Sequence, residues 1–299
     1  MSVHDTAATL PRPHWLSEEV WPFTVRYLQI DRQRVHYVDE GRGPVLLFVH
    51  AGMWSFVWRD LLLHLSPHFR CVALDLPGSG LSDPPRSHRP TLAGHARVLS
   101  ELVAQLRLEK LVLVVHDLGG PIGLEFARSR PDLVRGLVVA NSFGWWPPER
   151  SLRGMIRLMG SSGIRLLNTL TNLMPRLTAT KFGVGQHLDP VGRLAFLGPT
   201  RDRRRRHPFH DLMHDAARAR ALLEGVESAL RGPLADRPLL TIFGERNDPL
   251  HFQRRWRGLF PTAEQVVVPQ GNHFPMCDAP DLFAEVVCGW AQRLEEDAV

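Results

Sequence analysis

The chain has 299 residues, 44% of them hydrophobic and 22% charged, which excludes an intrinsically disordered or fibrous chain. A chain of this length buries roughly three quarters of its unfolded surface and needs no staples. The formal net charge is +5, but all but two of the 36 basic residues are Arg, so the excess reads as compositional bias rather than a nucleic-acid footprint. The Arg201–Arg206 run reads as a solvated loop. No apolar run reaches the ~18–20 residues that span a bilayer, and the first fifteen residues hold no apolar signal core. Cys71, Cys277 and Cys288 are odd in number and lack metal or redox spacing. Together these predict a cytoplasmic protein with no membrane or nucleic-acid partner, acting as monomer or homodimer.

In chain order, Phe23–Ile30 and Arg34–Val38 interleave apolar and polar residues about a turn at Asp31-Arg32, which predicts a hairpin. Val45–Val49, Cys71–Leu74, Leu111–Val115 and Leu137–Ala140 are continuous apolar runs, as expected of strands buried on both faces. Helical patterns lie between them at Trp58–Leu65, Leu92–Leu106 and Ile122–Arg128. The alternation predicts an α/β fold with a mainly parallel sheet. From Ser142 to about Arg220 no strand-like run occurs. Amphipathic stretches at Ser151–Leu158, Gly163–Leu173 and Leu212–Leu223 predict a helical insert there. Leu239–Phe243, Phe252–Leu259, Val266–Val268 and Pro280–Leu294 then resume the strand and helix alternation. The division expected is a core of 1–141 and 221–299 with a helical cap of 142–220. Its apolar residues Leu158, Leu166, Leu170, Leu173 and Met174 fit a dry pocket or the packing of the cap.

Three segments carry chemistry. Leu111–Arg128 runs a buried strand into His116-Asp117-Leu118-Gly119-Gly120 and then a helix, the geometry of a nucleophile elbow. Small residues must follow the nucleophile because backbones meet there, and Gly119 and Gly120 supply them. Asp117 holds the nucleophile slot, although an Asp before a helix can also be a cap. Gly271-Asn272-His273-Phe274 follows the last strand, and Phe243–Pro249 follows the one before. Asp117, Asp248 and His273 thus stand in the order nucleophile, acid, histidine. The acid has a rival position. Asn247 stands one residue before it but carries no charge, so Asp248 is chosen and Glu245 is the outsider. Asn141, after another strand, cannot serve as an anion either.

With these residues in view, the sequence resembles the α/β-hydrolase family, and within it the aspartate-nucleophile branch of haloalkane dehalogenases and epoxide hydrolases. The segments that carry the resemblance are HYVDEGRGPVLLFVHAG (His36–Gly52), WSFVWRD (Trp54–Asp60), DLPGSGLSD (Asp75–Asp83), HDLGGPIGL (His116–Leu124) and NSFGWWP (Asn141–Pro147). The resemblance implies an eight-stranded, mainly parallel sheet with an inserted cap. It implies a small apolar organic substrate with water as co-substrate; no metal-ligand cluster or dinucleotide fingerprint appears in the sequence, so neither cofactor nor metal is expected. It also implies attack by Asp117 on saturated carbon, an alkyl-enzyme ester, and hydrolysis with His273 as base and Asp248 as its orienter. Backbone N–H groups of Leu118 and of Ala51 or Gly52 would form the oxyanion hole.

The chain departs from that pattern where the leaving group is held. Dehalogenases have a Trp after the nucleophile, and here that residue is Leu118. An Asn usual beside the oxyanion loop is missing from His50-Ala51-Gly52-Met53. Trp54, Trp145 and Trp146 are the candidate replacement donors. A fluoroacetate-type dehalogenase fits poorly, because that group has an Arg at the Leu118 position. Epoxide hydrolases use cap tyrosines, whereas Tyr27 and Tyr37 lie in the first hairpin, leaving His187, His207, His210 or His214 as substitutes. His50 and His116 read as structural residues of their turns. Three functions stay open: a haloalkane-type hydrolase, an epoxide hydrolase with an unusual acid, and a silent hydrolase fold that binds a ligand.

Overall fold

The computed structural model describes residues 8–85 and 89–296. Nine strands form one sheet: β1 (Ala8–Thr9), β2 (Arg26–Ile30), β3 (Gln33–Glu40), β4 (Val45–His50), β5 (Arg70–Leu74), β6 (Leu111–His116), β7 (Val134–Ala140), β8 (Leu239–Gly244) and β9 (Glu264–Val268). Their order is β1-β2-β3-β5-β4-β6-β7-β8-β9. Pairings from β1 to β5 along that order are antiparallel, and the rest, from β5 to β9, are parallel. The sheet exceeds the eight strands expected, because Ala8 and Thr9 pair with Tyr27 and Arg26. Two residues carry no periodicity, so only their tertiary pairing reveals them. The hairpin turn falls at Asp31 and Arg32, both in the left-handed region (φ 48° and 61°) that a tight two-residue hairpin requires.

The described residues also form twelve α-helices: α1 (Arg59–Leu65), α2 (Leu92–Gln105), α3 (Gly119–Ser129), α4 (Arg150–Met159), α5 (Ser162–Thr171), α6 (Leu173–Thr178), α7 (Pro190–Leu197), α8 (Pro208–Ala216), α9 (Arg220–Leu230), α10 (Phe252–Leu259), α11 (Pro275–Asp278) and α12 (Pro280–Glu296). The continuous strand runs are explained by burial on both faces. Leu47, Val49, Leu113 and Val115 point into one core, and Leu46, Phe48, Val112 and Val114 into the other. Between Ala140 and Leu239 the described chain has no strand, and α9 packs back on α3. The stretch read as one helix over Gly163–Leu173 is broken at Asn172, whose φ of 57° starts a separate α6. Leu212–Leu223 is likewise divided between α8 and α9. Among the described residues no helix is long and apolar enough to cross a membrane.

The Asp75-Leu76-Pro77-Gly78-Ser79-Gly80-Leu81-Ser82 turn is structural. The buried Asp75 carboxylate accepts from the amides of Ser55 (2.7 Å) and Leu81 (2.8 Å) and contacts His36 Nδ1 at 2.8 Å. Gly80 is required there, since a Cβ would stand 2.1 Å from Asp75 Oδ2.

Candidate active site

The site lies at the carboxyl ends of β4, β6 and β8 and in the loop after β9, where open α/β sheets bind ligands. Asp117 follows β6 with φ 51°, a left-handed conformation in a non-glycine residue. The two glycines behind it permit this sharp turn. A Cβ on Gly119 would stand 2.2 Å from the Val49 carbonyl oxygen, and one on Gly120 would stand 1.8 Å from Ser142 Oγ. Ser142 Oγ donates to the Asp117 carbonyl at 2.6 Å, which ties the elbow to the end of β7. The Asp117 carboxylate is 21% exposed and lies 3.6 Å from His273 Nε2. No backbone amide among the described residues takes that carboxylate as a cap. Burial by itself would raise the Asp117 carboxyl; the neighbouring His273 outweighs burial and holds the group well below the usual carboxylate range.

The back of the His273 ring differs from expectation. His273 Nδ1 donates to the amide oxygen of Asn247 at 2.9 Å. Asn247 is held in turn by Asn141, whose Nδ2 lies 3.2 Å from Asn247 Oδ1 and also donates to the carbonyls of Asn272 (2.8 Å) and His273 (2.9 Å). Asn141 Oδ1 accepts from Gly244 N–H at 3.0 Å, so one side chain ties β7, β8 and the histidine loop together. Asp248, expected as the acid, turns away. Its carboxylate accepts from the amides of Phe252 (2.6 Å) and Gln253 (3.1 Å) at the start of α10. The physical reason is the competing pull of the unpaired first-turn amides of that helix. Burial raises the Asp248 carboxyl, more than the two amides lower it. Glu245 accepts from Gln270 N–H and also stands outside the site. Asn247 stands three residues after Gly244, where the resembled family most often has its acid, and its lack of charge hides it in the sequence.

Two buried imidazoles support the histidine loop. Met53 N–H donates to His50 Nε2 at 3.3 Å, so His50 carries its proton on Nδ1 and donates to His116 Nδ1 at 3.0 Å. His116 Nε2–H then donates to the His273 carbonyl at 2.6 Å. Every polar atom of the pair is satisfied with both rings neutral. Burial pushes His50 down to about 4, and His116 is held well below the ordinary histidine value by burial and its two imidazole neighbours.

Two narrow cavities lie between the sheet's loops and the insert. One is lined by Leu118, Pro121, Phe143, Trp146 and Ile156, the other by Ala51, Gly52, Met53, Trp54, His95 and Phe209. Neither wall includes Asp117 itself. Phe209, at the start of α8, brings the insert onto the oxyanion loop, since a Cβ on Gly52 would stand 2.6 Å from its ring. Sequence reading gave no sign of Phe209, because α8 meets the oxyanion loop only in three dimensions.

The three candidate tryptophan donors divide. Trp54 lines a cavity, but its indole N–H already donates to the Phe196 carbonyl at 3.0 Å. Trp145 is fully buried, packed edge-on to Trp256 and Phe252, and its N–H has no partner among the described residues. Trp146 lines the Leu118 cavity. Leu118 is buried beside it and offers only its backbone N–H. Of the apolar cap residues read as fitting a dry pocket, Leu158, Leu166, Leu170 and Leu173 face outward and are exposed. The pocket walls come instead from Ile156, Phe196, Phe209 and Leu212.

Comparison with known proteins places the chain in a family. The sequence profile of the family described as alpha/beta hydrolase fold matches residues 44–280. A haloalkane dehalogenase 2 of Mycobacterium tuberculosis is 31% identical over 274 residues, 90% of this chain and 95% of that protein. A cis-3-alkyl-4-alkyloxetan-2-one decarboxylase of Xanthomonas campestris is 29% identical over 281 residues, 86% of this chain and 92% of that protein. Among solved structures, the haloalkane dehalogenase DbeA of Bradyrhizobium elkani superposes with TM-score 0.79 at 21% identity, over 91% of this chain and 98% of the other, a likeness of fold. The chain belongs to the α/β-hydrolase fold family, and within it is a haloalkane dehalogenase-like enzyme of the hydrolase class.

Proposed function

We propose that the chain hydrolyses small apolar substrates by displacement at saturated carbon, with Asp117 as nucleophile and haloalkanes as the leading substrate class. The observation that carries this reading is the pairing of a left-handed Asp117 with His273 Nε2 at 3.6 Å. In the first step an Asp117 oxygen forms a bond to carbon and the carbon–halogen bond breaks, releasing halide. In the second, water adds to the ester carbonyl while His273 Nε2 takes its proton. The alcohol leaves and the carboxylate returns. The amides of Leu118 and of Ala51 or Gly52 face the ester oxygen in this scheme. Trp146 N–H is the remaining side-chain donor for the halide. Asn247 fixes the imidazole tautomer as a neutral orienter, as Asn does in Cys-His-Asn sites. Residues 142–220 act as the cap over the site.

A second reading draws on the leaving-group side. With Leu118 after the nucleophile and the Trp54 N–H engaged, the halide has few donors. A strained ring with a carbon–oxygen bond, as in an epoxide or the four-membered ring named for the Xanthomonas relative, needs no halide cradle. The test is repeated turnover in heavy-oxygen water with bromoalkanes, epoxides and β-lactones in parallel. Label in the peptide carrying Asp117 supports the ester, and the substrate that turns over selects the class. Turnover without label in that peptide refutes the scheme.

A further inference from the structure

We propose that the outward face of α4–α7 docks this enzyme on an anionic bilayer surface. On α4, Met155 and Leu158 are 51% and 60% exposed; on α5, Leu166 and Leu170 are 60% and 56% exposed; Leu177 on α6 and Phe182 beyond it are 52% and 70% exposed. Spacings of three and four residues put these side chains on one side of each helix. Helix α4 packs on α5 and α5 on α6, so the exposed sides adjoin. The undersides are held by Ile156, Asn168 and Pro175, all buried. Single exposed leucines are ordinary, whereas an adjoining set on consecutive helices marks an interaction surface.

Charge identifies what covers it. From Arg150 to Arg206 the chain has twelve Arg or Lys and two Asp, a formal +10 within a protein whose total is +5, so the remainder is net negative. Arg157, Arg176, Lys181, Arg193 and Arg203 are exposed, with no carboxylate within 4 Å among the described residues. Arg205 and Arg206 instead serve the fold, donating to the carbonyls of Gly80 and Ser82 and of Thr200 and Thr169 respectively. A second copy of the chain would oppose one cationic face with another. A nucleic acid would satisfy the arginines and leave the leucines and Phe182 in water. An anionic bilayer meets both needs, with apolar side chains at the acyl boundary and guanidinium groups on lipid phosphates. Lys181 Nζ lies 5.2 Å from the Phe182 ring centre, an arrangement in which the ring can enter the boundary with its cation at the headgroups. The inner side of the same insert lines the cavities beside Asp117, about one helix diameter, roughly 10 Å, from the docking face. The docking does not depend on the reaction at Asp117.

Vesicle flotation of the full chain tests the proposal, using phosphatidylcholine alone and an equal mixture of phosphatidylcholine and phosphatidylglycerol. The expected result is flotation with the mixed vesicles only, weakening as salt is added. The variant L166D/L170D/F182D and the variant R157E/R176E/R203E should each lower the partition coefficient roughly tenfold or more, with unchanged circular dichroism and melting. Wild-type protein that stays behind with both vesicle types overturns the proposal, as does equal flotation on neutral vesicles or variants that float like wild type. A wild-type dimer in light scattering that L166D/L170D/F182D dissolves would assign the face to a second copy and also overturns it.

Discussion

His273 Nδ1 donates to Asn247 Oδ1 at 2.9 Å, while the neighbouring carboxylate of Asp248 is turned onto the first amides of α10. The imidazole is therefore oriented by a neutral amide, and among the described residues no carboxylate stands behind it to stabilise an imidazolium.

The first prediction concerns this pair. Asn247→Asp is isosteric, and two donors, His273 Nδ1–H and Asn141 Nδ2, already face the position. The expected outcome is faster ester hydrolysis in single-turnover kinetics, by about tenfold. Asp248→Asn should leave that rate near wild type and lower stability by about 1 kcal/mol through the weakened helix cap. A collapse of turnover in Asp248→Asn with no gain in Asn247→Asp would restore Asp248 as the acid.

Removing the base should strand the intermediate. With His273→Phe, halide or ring opening is expected in one burst, followed by accumulation of alkylated Asp117. Intact-protein mass spectrometry reads the adduct, and Asp117→Asn should show neither burst nor adduct.

The elbow predicts a steric effect. Gly119→Ala brings a Cβ against the backbone carbonyl of Val49, which cannot move aside without shifting β4. The expected loss is at least ~2 kcal/mol of stability together with a fall in turnover of about 100-fold, as the nucleophile is displaced. Thermal melting and steady-state assays check it; wild-type values in both would contradict the tight turn.

Phe209 stands against Gly52 at the oxyanion loop. Phe209→Ala should enlarge that cavity, raise turnover of longer-chain substrates relative to short ones, and cost up to about 3 kcal/mol of stability. A chain-length series of substrates measures the shift, and an unchanged preference would place Phe209 outside substrate contact.

Acid should destabilise the fold well above the range where carboxylates titrate. His50 and His95 are held down to about 4 by burial, and His116 lies well below the ordinary value. Unfolded, each titrates near 6.5, so between about 6.5 and 4 the unfolded chain binds more protons and stability falls as pH falls. For His50 and His95 the loss reaches roughly 3 kcal/mol each at pH 4. Asp75 is held low by His36 and backbone amides despite burial, and adds its own loss only at still lower pH. The melting midpoint should drop steeply between pH 7 and pH 4.5, and His95→Leu should flatten part of that slope. A midpoint constant over this window would show that the histidines are not buried neutral.

Much of the architecture was legible because burial on both faces writes itself as continuous apolar runs, and because the elbow needs Gly119 and Gly120 whatever else the chain does. The alternation of strand and helix, the helical stretch after β7, and the positions of Asp117 and His273 after β6 and β9 all follow from such local signals. The choice between Asn247 and Asp248 did not. It is a competition between a distant imidazole and the adjacent amides of α10, and only the folded backbone determines which side chain faces His273. The roles of Asn141, Phe209 and the three tryptophans depend in the same way on contacts between elements far apart in sequence. So does the outward turn of Leu158, Leu166 and Leu170. Periodicity shows that a helix has an apolar face, but not which way that face points, because that is fixed by what the opposite side of the helix packs against.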